Sequence, residues 1–288
     1  MDNEKSLSES YISIVIHHIA FDGWSVDIFL KELHILYDYY SEEKQEKQSK
    51  IDLPILTIQY KDFALWQRRY LMGDVLKKQL DYWKNKLNGY ETLNLPVNKP
   101  RPNQISYLGR NFYFNVNKNV FKLLRDLAKK LKVSLYTVLL SGYYLMLRSY
   151  SSQDDIVVGT LMANRHYKQV ENLIGFFVNT LALRVKIDIN LSIKDFIKQI
   201  GDEVIEAQFY QDLPFEKLVS ELNIDKDTSR HPIFQIMFVM QNFGNQERFQ
   251  GNVKLLDPYN SVAELYNIAR FDITTFIDDS GEELRCSS

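Results

Sequence analysis

The chain has only one cysteine among its 288 residues, Cys286, which lies close to the C-terminal end. One thiol cannot form an internal disulfide or a cysteine zinc site, so the sequence predicts a reducing compartment and no metal site of that kind. Its terminal position argues against a catalytic nucleophile. An excess of one charge is also missing, because 35 Lys and Arg face 37 Asp and Glu for a net charge of −2. Nothing in this balance predicts nucleic-acid binding.

Long apolar runs are missing as well. The most apolar long stretch, LYTVLLSGYYLML (135–147), is too short and too interrupted for a membrane span. The first ten residues, MDNEKSLSES, are polar and acidic, unlike a signal peptide. We therefore expect a soluble cytoplasmic protein without a membrane segment. Hydrophobic residues make up 45% of the chain, enough for a sizeable core in one large domain or two lobes.

Strand and helix patterns alternate along the whole chain, which predicts an α/β fold with mixed sheets. We expect strands over 11–16 (buried on both faces), 110–116 (half-buried), 154–163, 174–187, 232–242 and 269–278. We expect helices from an N-cap at Ser25 to residue 40, over 60–87 with an interruption near Gly73, and over 119–131, 134–149 (capped by Ser134), 192–209 and 213–222. The polar segment SEEKQEKQSK (41–50) is the best candidate for a boundary between lobes.

Two histidines end the first predicted strand, in the stretch HHIAFDGWS (17–25). Neighbouring residues of a regular strand point to opposite faces, so His17 and His18 should not share one site. Imidazole exchanges protons near neutral pH, which suits proton transfer or the binding of a nucleophilic amine. Asp22 can accept backbone hydrogen bonds or pair with an arginine, and Gly23 permits a close approach of the backbone. A histidine on an apolar strand is also often an ordinary core residue.

Five motifs follow one another along the chain. HHIAFDGWS (17–25) resembles the motif HHxxxDGWS, and YKDFALWQR (60–68) resembles YxDFAxWQ. YSSQDDIVVGTLMANR (150–165) resembles GQDDIVVGTPIANR, with Leu161 and Met162 as departures. IGFFVNTLALR (174–184) resembles IGxFVNTLxxR, and DTSRHPIFQIMFVMQN (227–242) resembles the paired RxxxRxPL and HNPLFQVMF motifs. With these motifs in this order, the sequence resembles the condensation domains of nonribosomal peptide synthetases.

The resemblance implies a two-lobed fold like that of chloramphenicol acetyltransferase, with a tunnel between the lobes. Only sixteen residues precede His17, whereas the family carries two earlier motifs there, and the C-terminal end also stops short of the family pattern. The resemblance therefore implies an incomplete first lobe, with residues 1–48 as its remnant and 49–288 as the C-terminal lobe. We expect such a fragment to be inactive alone.

The function that the resemblance implies is peptide-bond formation in nonribosomal peptide synthesis. The acyl or peptidyl group would move from a donor carrier-protein thioester to the amine of an acceptor aminoacyl carrier protein. The resemblance also implies that no cofactor or metal binds directly. Both substrates would be tethered to phosphopantetheine on partner carrier domains, and an adenylation domain would be adjacent. Secondary-metabolite or antibiotic biosynthesis is the expected setting.

Residue roles carried over from the family centre on His18, as either a general base or a hydrogen-bonding positioner of the amine. His17 would face the structure, Asp22 would form an ion pair that holds the loop, and Gly23 would lie close to the reacting centre. The substrate contacts would come from Asn179, Trp24 and Ser25.

Several assignments stay open. Asn179 could stabilise a tetrahedral intermediate or contact the pantetheine arm, or it could be a buried residue capping a strand end. Arg165 and Arg184 are both candidate partners of Asp22. Asp154 and Asp155 could be paired carboxylates, but a solvated loop is favoured. The structural role is favoured for Tyr60, Trp66, Arg68, His34, His166 and His231.

Other functions are weaker. An epimerization domain should carry a glycine-tyrosine-glycine signature and a heterocyclization domain a DxxxxD pattern, and neither occurs here. A freestanding acyltransferase that uses coenzyme A fits FVNT and PIFQIMF less well. An inactive condensation-like fragment that only binds a carrier protein is the alternative of a different class.

Overall fold

The computed structural model describes residues 10–41, 51–222, 224, 227–241 and 268–288. The helices are α1 (Gly23–Ser41), α2 (Tyr60–Tyr70), α3 (Gly73–Leu87), α4 (Lys118–Leu131), α5 (Leu135–Ser151), α6 (Ile193–Phe209) and α7 (Phe215–Glu221). The strands are β1 (Tyr113–Val116), β2 (Asp155–Met162), β3 (Asn179–Lys186), β4 (Ile236–Gln241), β5 (Ile273–Asp278) and β6 (Leu284–Ser287). Short 3₁₀ turns lie at His18–Ala20 and Lys168–Val170.

The described strands form one mixed sheet in the order β1-β6-β5-β4-β2-β3. The pairs β2–β4 and β4–β5 are parallel, whereas β2–β3, β5–β6 and β1–β6 are antiparallel. The longest register joins β2 to β3, from Asp155 opposite Lys186 to Met162 opposite Asn179. This mixed α/β architecture confirms the predicted fold class.

The main core lies between this sheet and helices α5 and α6. Leu140 of α5, Ile156 of β2 and Ile200 of α6 are completely buried in it. The buried Tyr144 donates its hydroxyl hydrogen to the carbonyl of Leu183, which satisfies a polar group inside the core. Such apolar burial is the dominant favourable contribution to folding. The core therefore stabilises the sheet from which the loops at its edge extend.

Most helices begin and end close to the residues that local sequence signals predicted. The Ser134 side chain accepts a hydrogen bond from the Thr137 backbone N–H and caps α5, as expected. The predicted helix over 60–87 is interrupted between α2 and α3, where Gly73 has a φ of +54°. This left-handed backbone costs glycine little, because it has no Cβ.

The prediction for residues 11–16 is wrong, because this segment is not a strand. Its apolar side chains are exposed, and Val15 is 94% accessible. A strand needs a neighbour to satisfy its backbone groups, and none of the described strands lies beside this segment. High β propensity alone therefore did not produce a strand here.

Other boundaries also differ. In the predicted strand over 174–187, only Asn179–Lys186 pairs with a neighbour, and residues 174–178 form a loop. β1 is an edge strand whose side chains are mostly exposed rather than half-buried. The strand β6, between β1 and β5, was not predicted. The proposed lobe boundary at 48–49 lies outside the described residues. Among the described residues, no helix combines the length and the apolar character that a membrane crossing requires.

Candidate active site

The two histidines lie on a tight turn that leads into α1. His17 caps the 3₁₀ turn, since its Nδ1 accepts a hydrogen bond from the Ile19 N–H at 3.1 Å. His18 Nδ1 lies 2.6 Å from the carbonyl oxygen of Phe21. A carbonyl can only accept, so this contact requires the hydrogen on Nδ1, and in the neutral ring it leaves Nε2 as the acceptor nitrogen. The chain turns here instead of continuing as a strand, yet the two rings still make different contacts.

Asp22 begins α1. Its Oδ1 accepts a hydrogen bond from the Ser25 N–H at 2.9 Å, which is the arrangement of a helix N-cap. The prediction that Ser25 caps this helix is therefore wrong, because the helix starts at Gly23. An aspartate three residues earlier is an equally good cap, and the sequence did not discriminate between them.

A buried ion pair joins Asp22 to Arg165, the residue three positions after β2. Arg165 Nη2 lies 3.0 Å from Asp22 Oδ1 and 3.3 Å from Oδ2. The same guanidinium donates through Nη1 to the carbonyls of Val170 and Leu173. Burial lowers the pKa of Arg165, and the charge and hydrogen bond of Asp22 oppose that shift. Of the two predicted partners of Asp22, the structure therefore selects Arg165.

Arg184, the other candidate, pairs with Asp155 instead. Its Nε lies 2.8 Å from Asp155 Oδ1, and its remaining N–H groups donate to the carbonyls of Lys86, Asn88 and Gly89 at the end of α3. The hydrogen bond to Asp155 raises the pKa of Arg184, although burial opposes it. Asp155 is thus a structural carboxylate on β2 rather than part of a solvated loop.

The loop 175–177 is fixed by the same buried network. The Gly175 N–H donates to Ser25 Oγ at 3.1 Å, and the Phe177 N–H donates to Asp22 Oδ2 at 3.0 Å. The single hydroxyl hydrogen of Ser25 has two acceptors within reach, Asp22 Oδ1 at 2.8 Å and the Gly175 carbonyl at 3.0 Å. Residues 150 positions apart are therefore tied together at the start of α1.

Helix α2 packs against the loop 175–177. The Tyr60 hydroxyl donates to the carbonyl of Phe176 at 2.8 Å. Phe63 of α2 is buried with Phe177, and Trp66 packs at the edge of the same small cluster. Burial raises the pKa of Tyr60, with the charge of Asp22 acting in the same direction and that of Arg165 opposing it. Tyr60 and Trp66 therefore have the structural contacts that the sequence predicted.

Gly175 has no room for a side chain. A Cβ built on it would lie 2.3 Å from Cδ2 of Tyr60 and 2.9 Å from the ring of Phe177. Glycine is thus needed here for a close approach, not for an unusual backbone angle. The sequence signal for this residue lay in the IGFFVNT stretch, but its reason appears only in the contact with α2.

The residues predicted to contact substrate take different positions. Ser25 is completely buried and donates a hydrogen bond within the protein, and its role as a substrate contact stays a prediction. Trp24 is 41% exposed and donates its indole N–H to the carbonyl of Glu171, which leaves part of its ring accessible. Gly23 lies beside them, as the first residue of α1.

Asn179 begins β3 and is held by local hydrogen bonds. Its amide nitrogen donates to the carbonyls of Gln211 and Leu213, and its Oδ1 accepts from the N–H groups of Thr180 and Phe215. Both amide hydrogens are used in this way. The contacts match the alternative of a residue at a strand end, and a role toward an intermediate stays a prediction.

The remaining histidines lie elsewhere. His34 pairs with Asp38 on α1, His166 lies 3.5 Å from Asp212, and the ring of His231 packs on Phe271. Within the described residues, no group of three His, Cys, Asp or Glu side chains could hold a metal ion.

The family model of the condensation domain matches residues 4–288. The chain belongs to the condensation domain family. It is 39% identical over 276 residues to N-(5-amino-5-carboxypentanoyl)-L-cysteinyl-D-valine synthase of Amycolatopsis lactamdurans, covering 96% of this chain and 7% of that protein. It is 39% identical over 272 residues to gramicidin S synthase 2 of Brevibacillus brevis, covering 93% of this chain and 6% of that protein. This condensation domain therefore spans a small fraction of the length of these relatives.

Solved structures show the same fold. The condensation domain of the monacolin K polyketide synthase MokA superposes with a TM-score of 0.77 at 18% identity, over 94% of this chain and 62% of the other. A holo four-domain nonribosomal peptide synthetase bound to AMP and glycine superposes with a TM-score of 0.74 at 22% identity, over 94% of this chain and 21% of the other. At these identities the likeness concerns the fold alone.

Proposed function

We propose that this condensation domain forms an amide bond between two substrates carried as thioesters by partner carrier proteins. The observation that carries the proposal is the state of the His18 imidazole. Its Nδ1 is engaged by the Phe21 carbonyl, and the side chain is exposed on a turn held by a buried ion pair. Nε2 is thereby the nitrogen that can accept a hydrogen bond from an incoming amine.

The chemistry follows from this geometry. The acceptor α-amine attacks the donor thioester carbonyl, so a C–N bond forms and the C–S bond breaks. The departing pantetheine sulfur gains the proton that the amine loses. His18 Nε2 can take that proton as a general base. Alternatively, it can orient the amine toward the thioester carbonyl by a hydrogen bond, with the proton leaving only after the attack. Both roles need the same acceptor nitrogen.

The relatives support the setting that we propose. They are large synthases, among them one named for gramicidin S, and this chain matches only a few per cent of their length. We infer partner carrier domains on the donor and acceptor sides and an adjacent adenylation domain, with phosphopantetheine belonging to the carriers. The division into a lobe remnant over 1–48 and a lobe over 49–288, and the cytoplasmic location, stay predictions.

The test is acyl transfer between two carrier proteins. Because we expect the chain by itself to be inactive, the test uses the full-length product of the gene that encodes it. That protein is mixed with a donor carrier loaded with an acyl or aminoacyl thioester and an acceptor carrier loaded with an aminoacyl thioester, and intact-protein mass spectrometry follows the acceptor. We expect the donor acyl mass to appear on the acceptor, and to be absent when the acceptor amine is acetylated beforehand. No transfer by the folded protein with several donor–acceptor pairs would contradict the proposal and favour a carrier-binding module without catalysis.

A further inference from the structure

Phe176 is a half-buried aromatic residue whose ring lies against the active-site histidine. The centroids of the Phe176 and His18 rings are 5.2 Å apart, and their planes are 87° apart. This edge-to-face arrangement is one of the favoured geometries for two aromatic rings. His18 therefore has two fixed contacts, a carbonyl at Nδ1 and an aromatic ring beside the imidazole.

The backbone around Phe176 is held by hydrogen bonds on both sides. Buried hydrogen bonds fix Gly175 to Ser25 and Phe177 to Asp22, and Tyr60 fixes the carbonyl of Phe176 itself. Both neighbours in sequence, Gly175 and Phe177, are buried, whereas the Phe176 side chain reaches the exposed turn. The loop thus directs one ring toward His18.

The geometry points to Phe176 as a positioning residue that holds the His18 imidazole in the orientation that bonds to the Phe21 carbonyl. A histidine ring on an exposed turn can otherwise rotate about its side-chain bonds. Rotation would break the Nδ1 contact. The imidazole would then no longer be restricted to the tautomer in which Nε2 is the acceptor. Phe176 blocks that rotation on one side of the ring, and it does so without any polar group.

This inference deepens the proposed function and rests on it for its kinetic consequence, but the orientation of His18 can be measured without any reaction. In protein labelled with ¹⁵N at its histidine rings, long-range ¹H–¹⁵N correlation spectra distinguish the two neutral tautomers. His18 is assigned by comparison with His18→Ala. We expect His18 to populate the Nδ1–H tautomer in the wild type and a mixture of both tautomers in Phe176→Ala.

Two further variants separate positioning from a general effect on folding. Phe176→Tyr keeps the aromatic ring and should keep the tautomer of the wild type. Phe209→Ala removes an exposed phenylalanine at the end of α6 and should leave the His18 signals unchanged. A wild-type tautomer of His18 in Phe176→Ala, or loss of that tautomer in Phe209→Ala to the same extent, would overturn the inference.

The kinetic arm uses the carrier-to-carrier transfer. A misplaced catalytic group lowers the rate of the bound complex, so Phe176→Ala should reduce kcat by about tenfold with little change in the KM for the acceptor carrier. Phe176→Tyr should restore most of kcat. Transfer by Phe176→Ala at the wild-type kcat would overturn the positioning role while the proposed function stands. Absence of transfer by the wild type would contradict the proposed function, and the tautomer measurement would still decide the role of Phe176.

Discussion

Asp22 and Arg165 are 143 positions apart in the chain, yet their side chains meet at 3.0 Å with exposures of only 2% and 1%. One lies just before α1 and the other follows β2. The pair therefore joins the turn that carries His18 to the loop that carries Phe176. Breaking a buried pair leaves a charge without a partner, which costs far more than the loss of a surface pair.

Removal of the Asp22 carboxylate should lower the stability of the folded protein. Asp22→Ala leaves the Arg165 guanidinium buried without its counter-charge and the Phe177 N–H without an acceptor. We expect the free energy of unfolding to fall by about 3–5 kcal/mol. Urea unfolding monitored by circular dichroism measures this change.

The matched control for Asp22→Ala is Asp154→Ala, which breaks the pair of Asp154 with Arg148 at side-chain exposures of 58% and 34%. A solvent-exposed pair contributes at most about 1 kcal/mol. Equal losses in the two variants would show that the Asp22–Arg165 pair does not hold the loops together.

A methyl group at Gly175 should be destabilising. The added Cβ would overlap the rings of Tyr60 and Phe177, so Gly175→Ala must displace α2 or the loop and should lose about 1–3 kcal/mol. Gly142→Ala is the control, because Gly142 lies within α5 with no atom within 4 Å of the new Cβ. There the change should stabilise by about 0.5–1 kcal/mol, since glycine is unfavourable inside a helix. Thermal unfolding curves of both variants test the opposite signs.

Replacement of Arg184 by lysine should destabilise the protein. Its guanidinium binds Asp155 through two nitrogens and also donates to three carbonyls at the end of α3. A single ammonium group cannot reach all of these acceptors, so Arg184→Lys should lose about 1–3 kcal/mol in urea unfolding. Arg148→Lys, at an exposed pair, should lose little. If Arg184→Lys has the same stability as the wild type, then Arg184 does not stabilise the protein by joining Asp155 to the end of α3.

Stability should fall in alkaline solution because of buried tyrosines. Burial raises the pKa of Tyr143 to about 12, with the Thr275 hydroxyl opposing the shift. An unfolded tyrosine has a pKa of about 10, so the unfolded state binds fewer protons above that pH and stability decreases between about pH 10 and about pH 12. In Tyr143→Phe this decrease should be shallower, as measured by urea unfolding at a series of alkaline pH values. An unchanged slope would exclude Tyr143 as a contributor.

The sequence predicted the fold class and most helices because periodicity and capping are local properties. Ser134 and the interruption at Gly73 are examples, since each depends on a few neighbouring residues. The segment 11–16 shows the limit of this reasoning. Its strand propensity is high, but a strand forms only where a neighbour supplies hydrogen bonds.

The site was predicted in part. The motif containing His18 identified the turn, but Arg165 and Arg184 were equivalent in sequence as partners of Asp22. Only the tertiary structure, which buries Arg165 beside Asp22, distinguishes them. Phe176 gave no signal of its own, because its contact with His18 depends on a loop far along the chain, held by Tyr60 and Asp22.

We propose that His18, and not its neighbour His17, accepts the proton of the acceptor amine or positions that amine during acyl transfer. Single-turnover transfer between loaded carriers should be compared for the wild type, His18→Ala and His17→Ala, with each variant first shown to fold. We predict a rate lower by about 10²–10⁴-fold for His18→Ala and most of the wild-type rate for His17→Ala. Transfer by His18→Ala at the wild-type rate, or an equal loss in His17→Ala, would show that His18 does not have this role.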